Sequence, residues 1–277
     1  MKNNIKFPTG KAHVSYSEVK CWSECSYRHK LMHIDKIDLG DTSPYLFFGT
    51  AVHEGCESII KNQDIGREAI LERLAGEWLD NGFDDPEWLK RQPSWFKHKP
   101  LEEWCSWATQ MWDEVPEFLE KTFPGWEPFN AEEKLYESIE KKDLKFKGFI
   151  DAVIKVKNKK GKDIYWILDW KTAPKYGWRR QKKQDILVTA QIVLYKYYWS
   201  IKHKIPLEDV RCGFILLKRE ASKGKTCDLV TVSAGPKTLS RALKMVGNMI
   251  FSVRKGMFLK NRDSCRFCPY KDTEYCI

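Results

Sequence analysis

Three consecutive stretches near the middle of the chain constrain its fold most, because they have the composition of β-strands. Residues 134–139, 144–156 and 164–169 alternate or run apolar and contain many β-branched side chains. The polar segment 157–162 is rich in lysine and predicts a tight connection between the second and third stretches. We therefore expect a β-sheet in which these two stretches form a hairpin.

Helix-forming patterns lie on both sides of these strands. Ser15 and Glu18 have the spacing of a capping box, at the start of an amphipathic helix that extends towards Leu31. The remaining elements are a turn and a helix over 47–61, helices over 184–202 and 236–257, and strands over 210–218 and 229–232. This order predicts an α/β fold, with a single domain over residues 1–277 and a sheet core over residues 131–235.

The segment 65–126 differs from the rest because helical patterns are combined there with many tryptophans. Prolines at positions 86, 93, 100, 116 and 124 predict breaks in its helices. The tryptophans are Trp78, Trp88, Trp95, Trp104, Trp107, Trp112 and Trp126. We expect an inserted helical lobe over the sheet core, whose indole rings either pack in a core or roof a channel.

The net charge limits the classes of partner. The 48 Lys and Arg residues against 38 Asp and Glu give a formal charge of +10, which attracts DNA or RNA over long range. No apolar run is long enough to span a bilayer, and residues 1–6 lack the apolar stretch of a signal peptide. We expect no membrane partner and a cytoplasmic location, and a phage origin stays open.

Acidic residues lie in two of the strand patterns, in the segments Gly148–Asp151 and Leu168–Thr172. Asp169 and Lys171 are two residues apart on one strand, so both side chains leave the same face. With Asp151, the two carboxylates suit a hard cation, which relieves the charge repulsion and poor leaving group of a phosphodiester. Lys171 can orient or deprotonate water, or neutralise developing charge. The pattern predicts a metal-dependent phosphodiesterase; a surface Asp–Lys pair is the alternative for an isolated motif.

These motifs resemble the PD-(D/E)XK nuclease superfamily, in the branch with the RecB nuclease domain and the Cas4-type and AddB-type exonucleases. The matching elements, in order, are Gly49–His53, Gly148–Asp151, the hairpin, Asp169–Lys171 and Gln191–Tyr195. The resemblance runs from near Ser15 to Cys276 and leaves 65–126 uncovered. It implies a restriction-endonuclease-like core, in which a mixed central sheet is flanked by helices.

The resemblance also implies roles for individual residues. The implied catalytic residues are Asp151, Asp169, Lys171, Gln191 and Tyr195, and the implied Mg²⁺ or Mn²⁺ site consists of His53, Asp151, Asp169 and Trp170. Gln191 and Tyr195 are four residues apart and share one face of their helix. Glu57, one helical turn after His53, and Glu133, at the start of a core strand, are further candidates.

A basic and aromatic segment follows the Asp169–Lys171 motif. It contains Tyr176, Trp178, Arg179, Arg180, Lys182 and Lys183. Basic groups between aromatic rings suit a single nucleic-acid strand, with charge on phosphates and stacking on bases. The alternative is a solvated basic loop.

The chain contains nine cysteines, some of which have the spacing of metal ligands. Cys265 and Cys268 have chelating spacing, Cys276 adds a third thiolate, and a fourth ligand must come from elsewhere. The resemblance to Cas4-type and AddB-type nucleases implies Cys25 as this ligand, after Ser17 and Trp22, although Cys21 lies one turn earlier and stays an alternative. It also favours a [4Fe-4S] cluster over structural Zn²⁺, in a clasp of residue 25 with residues 265–276. The other cysteines, Cys56, Cys105, Cys212 and Cys227, are expected to be packing residues.

We therefore expect a metal-dependent DNA nuclease, specifically an exonuclease acting on single strands or DNA ends in recombination, repair or related DNA processing. A helicase, a recombinase or a single-strand-binding protein is the expected type of protein partner. The alternative is a non-catalytic DNA-binding or scaffold subunit of a helicase–nuclease assembly. RNA as the substrate, and the polarity of digestion, stay open.

Overall fold

The structure is a computed structural model that describes residues 7–40, 43–92, 96–140 and 142–277. Its strands are β1 (His13–Ser15), β2 (Glu127–Ser138), β3 (Lys145–Lys157), β4 (Asp163–Ala173), β5 (Val210–Lys218) and β6 (Cys227–Thr231). Its α-helices are α1 (Tyr16–Glu24), α2 (Ser26–His29), α3 (Pro44–Ile60), α4 (Arg67–Asp80), α5 (Pro86–Lys90), α6 (Leu101–Thr122), α7 (Arg180–Gln184), α8 (Ile186–His203) and α9 (Pro236–Arg254). A π-helical turn covers Lys30–Ile34, and 3₁₀ turns cover Leu207–Asp209 and Arg262–Phe267.

The strands form one mixed sheet, so the predicted α/β fold class is confirmed. The order is β1-β3-β4-β5-β6, and β2 pairs with the other edge of β3. β1 with β3 and β4 with β5 are parallel, whereas the remaining pairs are antiparallel. The predicted hairpin joins β3 to β4, and in its turn Asn158 N donates a hydrogen bond to Lys162 O at 2.9 Å.

Helices cover both faces of the sheet. On one face α1, α8 and α9 enclose a core that includes Phe146, Ile150 and Phe214. On the other face α3, α4 and α6 enclose a second core. Trp78, Trp104 and Trp112 are fully buried in this second core, so these rings pack the lobe rather than roof a channel.

One edge of β3 is shared by two different strands. β1 pairs with residues 145–147, and β4 pairs with residues 152–157. Within the described residues, positions 148–151 on that edge have no ladder partner. Beyond the last pair, Ala152 with Leu168, β3 and β4 therefore diverge and open a fork in the sheet.

Several predicted boundaries differ from the structure. β2 begins at Glu127 rather than 134, and β4 continues past Asp169 to Ala173. Asp151 and Asp169 consequently lie inside their strands, and the fork rather than a strand end gives access to them. The turn expected at Phe47 is absent, because α3 already begins at Pro44, a residue whose fixed φ suits the first turn of a helix.

The predicted break at Pro116 is also wrong, since α6 continues through it. A proline inside a helix costs about 3 kcal/mol through its missing N–H group and its ring clash. Val115 and Leu119 are fully buried on either side, and their packing offsets that cost. Pro93 and Trp95 of the predicted lobe lie outside the described residues.

The predicted N-terminus of α1 is correct, but the capping box is only half formed. Ser15 Oγ accepts a hydrogen bond from Glu18 N at 3.3 Å. The Glu18 carboxylate turns inward instead and lies 3.1 Å from the His29 ring, where both side chains are buried. The helix ends before Cys25, whose extended backbone separates α1 from α2.

A close contact between α3 and α6 fixes the position of α3. A Cβ atom at Gly55 would lie 2.2 Å from Trp112 Nε1, which donates a hydrogen bond to Val52 O at 3.1 Å. We predict that Gly55→Ala lowers the free energy of unfolding by about 2 kcal/mol, because overpacking outweighs the gain in helix propensity. Urea unfolding measures this change.

Gly247 in α9 is the matched control, because a Cβ atom there meets no atom within 4 Å. Gly247→Ala is expected to raise the free energy of unfolding by about 0.5–1 kcal/mol through helix propensity. Equal effects of the two substitutions would contradict the proposed contact.

Candidate active site

The fork between β3 and β4 brings Asp151 and Asp169 together. Both side chains are buried, and each residue directly adjoins the last ladder pair. Trp170 N donates a hydrogen bond to Asp151 Oδ2 at 2.7 Å, so this carboxylate takes the place of a strand carbonyl. Burial and the charge of Asp169 raise the pKa of Asp151 well above its usual value.

Lys171 is the cation that the structure places at this pair. Its Nζ atom lies 2.6 Å from Asp169 Oδ2 in an ion pair. Burial alone lowers the pKa of Lys171, but the charges of Asp169 and Asp151 raise it above its usual value. One lysine facing two carboxylates leaves the site acidic unless a proton or another cation is present.

His53 reaches the same carboxylates from α3. Its Nδ1 atom lies 3.4 Å from Asp151 Oδ2. Surrounding protein lowers the pKa of His53 to about 4, although Asp169 and contact with the Trp170 backbone oppose the change. The imidazole is therefore neutral near pH 7, which is the state that binds metal ions.

Gln191 and Tyr195 complete one wall of the site from α8. Gln191 Nε2 lies 3.4 Å from Tyr195 Oη, as the predicted shared helix face requires. The Tyr195 ring packs directly on Gly148, where a Cβ atom would lie 2.6 Å from Tyr195 Cε1. Burial and Asp169 raise the pKa of Tyr195 to about 12, so its hydroxyl stays protonated.

Glu133 does not reach the site, and its neighbour Glu132 does. Glu133 accepts hydrogen bonds from Trp199 and Lys202 and contacts the ring of His203 on α8. Glu132 has a left-handed backbone (φ 50°), which interrupts the alternation of β2 opposite Asp151. Its pKa is raised by burial and by Glu57. The adjacent pair of glutamates was visible in the sequence, but the irregular backbone that selects Glu132 was not.

Glu57 and Glu132 line an open cavity of about 650 Å³ beside His53. Glu54 lines the same cavity and forms an ion pair with Arg73. Glu57 is paired with Lys61. This side of the site is therefore rich in carboxylates, and Glu57 approaches the site from it.

The donor set at the fork fits a divalent cation. Asp169 Oδ2 is buried 2.6 Å from the Lys171 ammonium group, and the raised pKa of Asp151 shows that two adjacent carboxylates with one lysine favour a further proton or cation. Oxygen donors with a neutral imidazole suit Mg²⁺ or Mn²⁺. In the part of the chain that the structure describes, however, no three His, Cys, Asp or Glu side chains are gathered closely enough to hold a metal ion.

The four predicted cysteines line a single cavity of about 420 Å³ between the first helices and the C-terminal segment. They are Cys25, Cys265, Cys268 and Cys276. Cys25 Sγ accepts hydrogen bonds from the backbone N–H groups of Arg28 (3.5 Å) and Asn261 (3.4 Å). Cys21 is buried outside this lining, and burial raises the pKa of its thiol. The cavity therefore favours Cys25 over Cys21.

The basic segment after β4 is less available than its sequence suggests. Trp178 is buried against Phe214, and Lys182 Nζ lies 4.7 Å from the centre of its ring. Tyr176 is exposed. Trp178 thus cannot stack on a base, contrary to the sequence-based expectation for this segment.

Comparison with known proteins agrees with this geometry. The model of the PD-(D/E)XK nuclease superfamily matches residues 13–273. The chain belongs to the PD-(D/E)XK nuclease superfamily. The match spans the fork, His53, and the helix with Gln191 and Tyr195, so it covers every element that forms the candidate site.

A solved structure shares this fold at low sequence identity. A protein from Eubacterium rectale, described as a candidate exonuclease, superimposes with a TM-score of 0.55 at 15% identity, over 98% of this chain and 92% of that chain. A structure described as SSO0001 has a TM-score of 0.39 at 11% identity, over 94% of this chain and 84% of that chain. Curated proteins show no significant match. Among the described residues, no helix is both long and apolar enough to cross a membrane.

Replacing Glu133 tests its structural placement. Its pKa is lowered because hydrogen bonds from Lys202, His203 and Trp199 outweigh burial. We predict that Glu133→Gln lowers the free energy of unfolding by about 2 kcal/mol at pH 7. Because the folded pKa is depressed, this difference is present above pH 4.5, the ordinary value, and is lost as the pH falls through the lower folded value.

Urea unfolding from pH 7 to pH 3 measures the effect. Glu127→Gln on the same strand is the control, since Glu127 is exposed and its ion pair with Lys155 is worth about 0–1 kcal/mol. A Glu133→Gln protein with wild-type stability at pH 7 would show that Glu133 is not held as described.

Proposed function

We propose that the protein is a metal-dependent DNA nuclease, specifically an exonuclease that hydrolyses phosphodiester bonds of single strands or at DNA ends. The observation that carries this proposal is the cluster of Asp151, Asp169 and Lys171 at the fork. The family supports nuclease chemistry, and the net charge of +10 supports a polyanionic substrate. The description of the Eubacterium rectale protein supports an exonuclease among the nuclease types.

The proposed metal ligands are Asp151, Asp169, His53 and the backbone of Trp170. When bound, Mg²⁺ or Mn²⁺ supplies positive charge to the phosphate and lowers the pKa of a bound water. The near-complete burial of both carboxylates keeps bulk water from screening them. His53 contributes as a neutral ligand, because its pKa is about 4.

Lys171 is the proposed catalytic cation. Its raised pKa keeps it protonated near pH 7, so it acts by orienting water or by stabilising negative charge on the phosphate rather than as a free base. Gln191 and Tyr195 donate through the amide and the protonated hydroxyl to substrate oxygens. The packing of Tyr195 on Gly148 fixes the position of that hydroxyl.

The active-site proposal is tested by Asp169→Ala and Lys171→Ala. Each substitution is expected to reduce Mn²⁺-dependent release of nucleotides from labelled single-stranded DNA by at least about 100-fold, since it removes a charge from the reacting centre. Time courses on DNA and RNA substrates, with intact folding checked by circular dichroism, give the rates.

Asp163→Ala provides a matched control on the same strand, because Asp163 is partly exposed and contacts Lys157 away from the fork. It should retain the wild-type rate. Wild-type cleavage by a folded Asp169→Ala or Lys171→Ala protein would refute this site. DNA binding without cleavage by the native protein would favour a scaffold role, and a preference for RNA would change the substrate.

We further propose that the protein belongs to the RecB/Cas4-like branch and carries a [4Fe-4S] cluster held by Cys25, Cys265, Cys268 and Cys276. Their shared cavity and the N–H groups directed at Cys25 Sγ support metal thiolates, because such hydrogen bonds stabilise sulfur ligands. Structural Zn²⁺ is the alternative for the same ligands. Either metal would join α2 to the C-terminal segment.

The cluster is tested with Cys25→Ser against Cys21→Ser after anaerobic purification. We predict brown protein with broad visible absorption that bleaches on reduction, and loss of bound iron in Cys25→Ser but not in Cys21→Ser. Elemental analysis for iron, sulfide and zinc identifies the bound metal directly. A colourless protein that contains stoichiometric zinc would show that these cysteines hold zinc instead of an iron–sulfur cluster. A protein without bound metal would contradict the proposed metal site altogether.

Partners and pathway follow from this branch. We propose that the nuclease serves recombination, repair or related DNA processing, together with a helicase, a recombinase or a single-strand-binding protein. Copurification with labelled single-stranded DNA present is the direct assay for such a partner.

A further inference from the structure

A groove of about 580 Å³ leaves the proposed active site separately from the carboxylate-rich cavity. Lys171 and Tyr195 line its inner end, and Gln191 lies beside them. Its walls come from β1 with the start of α1, from β3, and from α7 with α8. The two spaces share no lining residue, so the active site has two chemically different approaches.

The groove is basic. Beside Lys171 it is lined by Lys11, Lys20, Lys147 and Lys182, and by no Asp or Glu among the described residues. Lys11, Lys147 and Lys182 form no ion pair with a carboxylate in the described part of the chain, whereas Lys20 lies 3.8 Å from Glu24. Burial and then the charges of Lys147 and Lys11 lower the pKa of His13 in the same wall. Uncompensated positive charge of this kind suits a phosphate backbone.

The other approach has the opposite charge. Glu54, Glu57 and Glu132 line it, and the raised pKa of Glu132 reflects burial and repulsion from Glu57. Glu54 and Glu57 on this side are paired with Arg73 and Lys61, so it offers no uncompensated positive charge, and a nucleic-acid phosphate is attracted to the lysine groove instead. The charge difference therefore selects one side of the active site for the body of a bound strand.

Phe149 adds an aromatic surface to the groove. Its side chain is 45% exposed, only two residues before Asp151. Phe149 lies on the part of β3 that pairs with neither β1 nor β4. Lys147 Nζ is 5.5 Å from the centre of the Phe149 ring. An exposed phenyl ring beside a cation presents both contacts that a nucleotide offers, a face for the base and a charge for the phosphate.

We propose that this groove binds single-stranded DNA, with its lysines on successive phosphates and Phe149 stacked on a base beside the cleaved bond. The proposal rests on the nuclease function above and adds the path of the strand. Stacking favours a single strand because bases inside a duplex are already stacked on both faces, so only an unpaired or terminal base offers a face to Phe149.

The test is binding of a labelled oligothymidylate, measured by fluorescence anisotropy with a chelator present to prevent cleavage. Phe149→Ala is expected to weaken binding about tenfold, as for loss of one stacked base. Lys147→Ala is expected to weaken binding and to reduce the slope of log affinity against log salt by about 0.7. Phe149→Tyr, which keeps the ring, should bind as the wild type does.

Control substitutions lie on α9, away from the groove. Phe251→Ala removes an exposed phenyl ring, and Lys244→Ala removes an exposed ammonium group. Both proteins should keep wild-type affinity and salt dependence. Circular dichroism on all variants checks that the fold is retained.

A second oligonucleotide without bases separates stacking from charge. On this abasic strand, Phe149→Ala should bind like the wild type, whereas Lys147→Ala should stay weaker. Wild-type affinity of Phe149→Ala for oligothymidylate, or an equal loss on the abasic strand, overturns the proposal.

Cleavage by the wild type with Mn²⁺ is measured separately. If the wild type cleaves DNA but the variants show no binding defect, the proposed strand path is wrong and the proposed nuclease activity stands. If the variants show the predicted binding defects but the wild type does not cleave DNA, the proposed strand path stands and the proposed nuclease activity is wrong.

Discussion

The shared edge of β3 is the constraint on which the candidate site depends. β1 occupies one end of this edge and β4 the other, so positions 148–151 have no ladder partner on this edge within the described chain, although β2 pairs with the opposite edge. Asp151 compensates by accepting the Trp170 N–H with its side chain. A carboxylate in place of a strand carbonyl stays anchored to the backbone and keeps a second oxygen that this hydrogen bond does not use. The same opening leaves Phe149 exposed and lets Tyr195 pack on Gly148.

Electrostatics then gives the fork its chemical character. Two buried carboxylates that face one lysine in a region of low dielectric favour a further proton or cation, as the raised pKa of Asp151 shows. The same charges keep Lys171 protonated and Tyr195 neutral. Around this centre the surface divides into an approach lined by glutamates and a groove lined by lysines. This charge pattern therefore both attracts a polyanion and favours its approach along the lysine-lined groove.

The helices hold this arrangement from both sides. α3 carries His53 and is fixed by the contact of Gly55 with Trp112 in α6. α8 carries Gln191 and Tyr195, and its far end is held by the network of Glu133 with Lys202 and His203. The buried tryptophans of α4 and α6 thus contribute to this arrangement by packing. Hydrogen bonds of Asn261 and Ser264 to Glu24 O join the C-terminal segment to the end of α1.

Much of the site could be predicted from the sequence because its signals are local. Two-residue spacing placed Asp169 and Lys171 on one face, four-residue spacing placed Gln191 with Tyr195, and the lysine-rich turn predicted the hairpin. A largely apolar run, typical of a buried strand, likewise predicted β5 at its observed bounds. Each of these patterns depends on backbone periodicity alone.

Other features depend on contacts between distant segments or on irregular backbone. The left-handed conformation of Glu132 decides that it, and not Glu133, approaches Asp151 and Asp169. Packing against Phe214 removes Trp178 from the surface, and buried neighbours carry α6 through Pro116. The sequence by itself determined the fold class, the acidic pair and its lysine, because periodicity and residue type suffice for them. The tertiary structure alone decided the fork, the choice of glutamate and the two oppositely charged approaches, because these arise where strands from different parts of the chain meet.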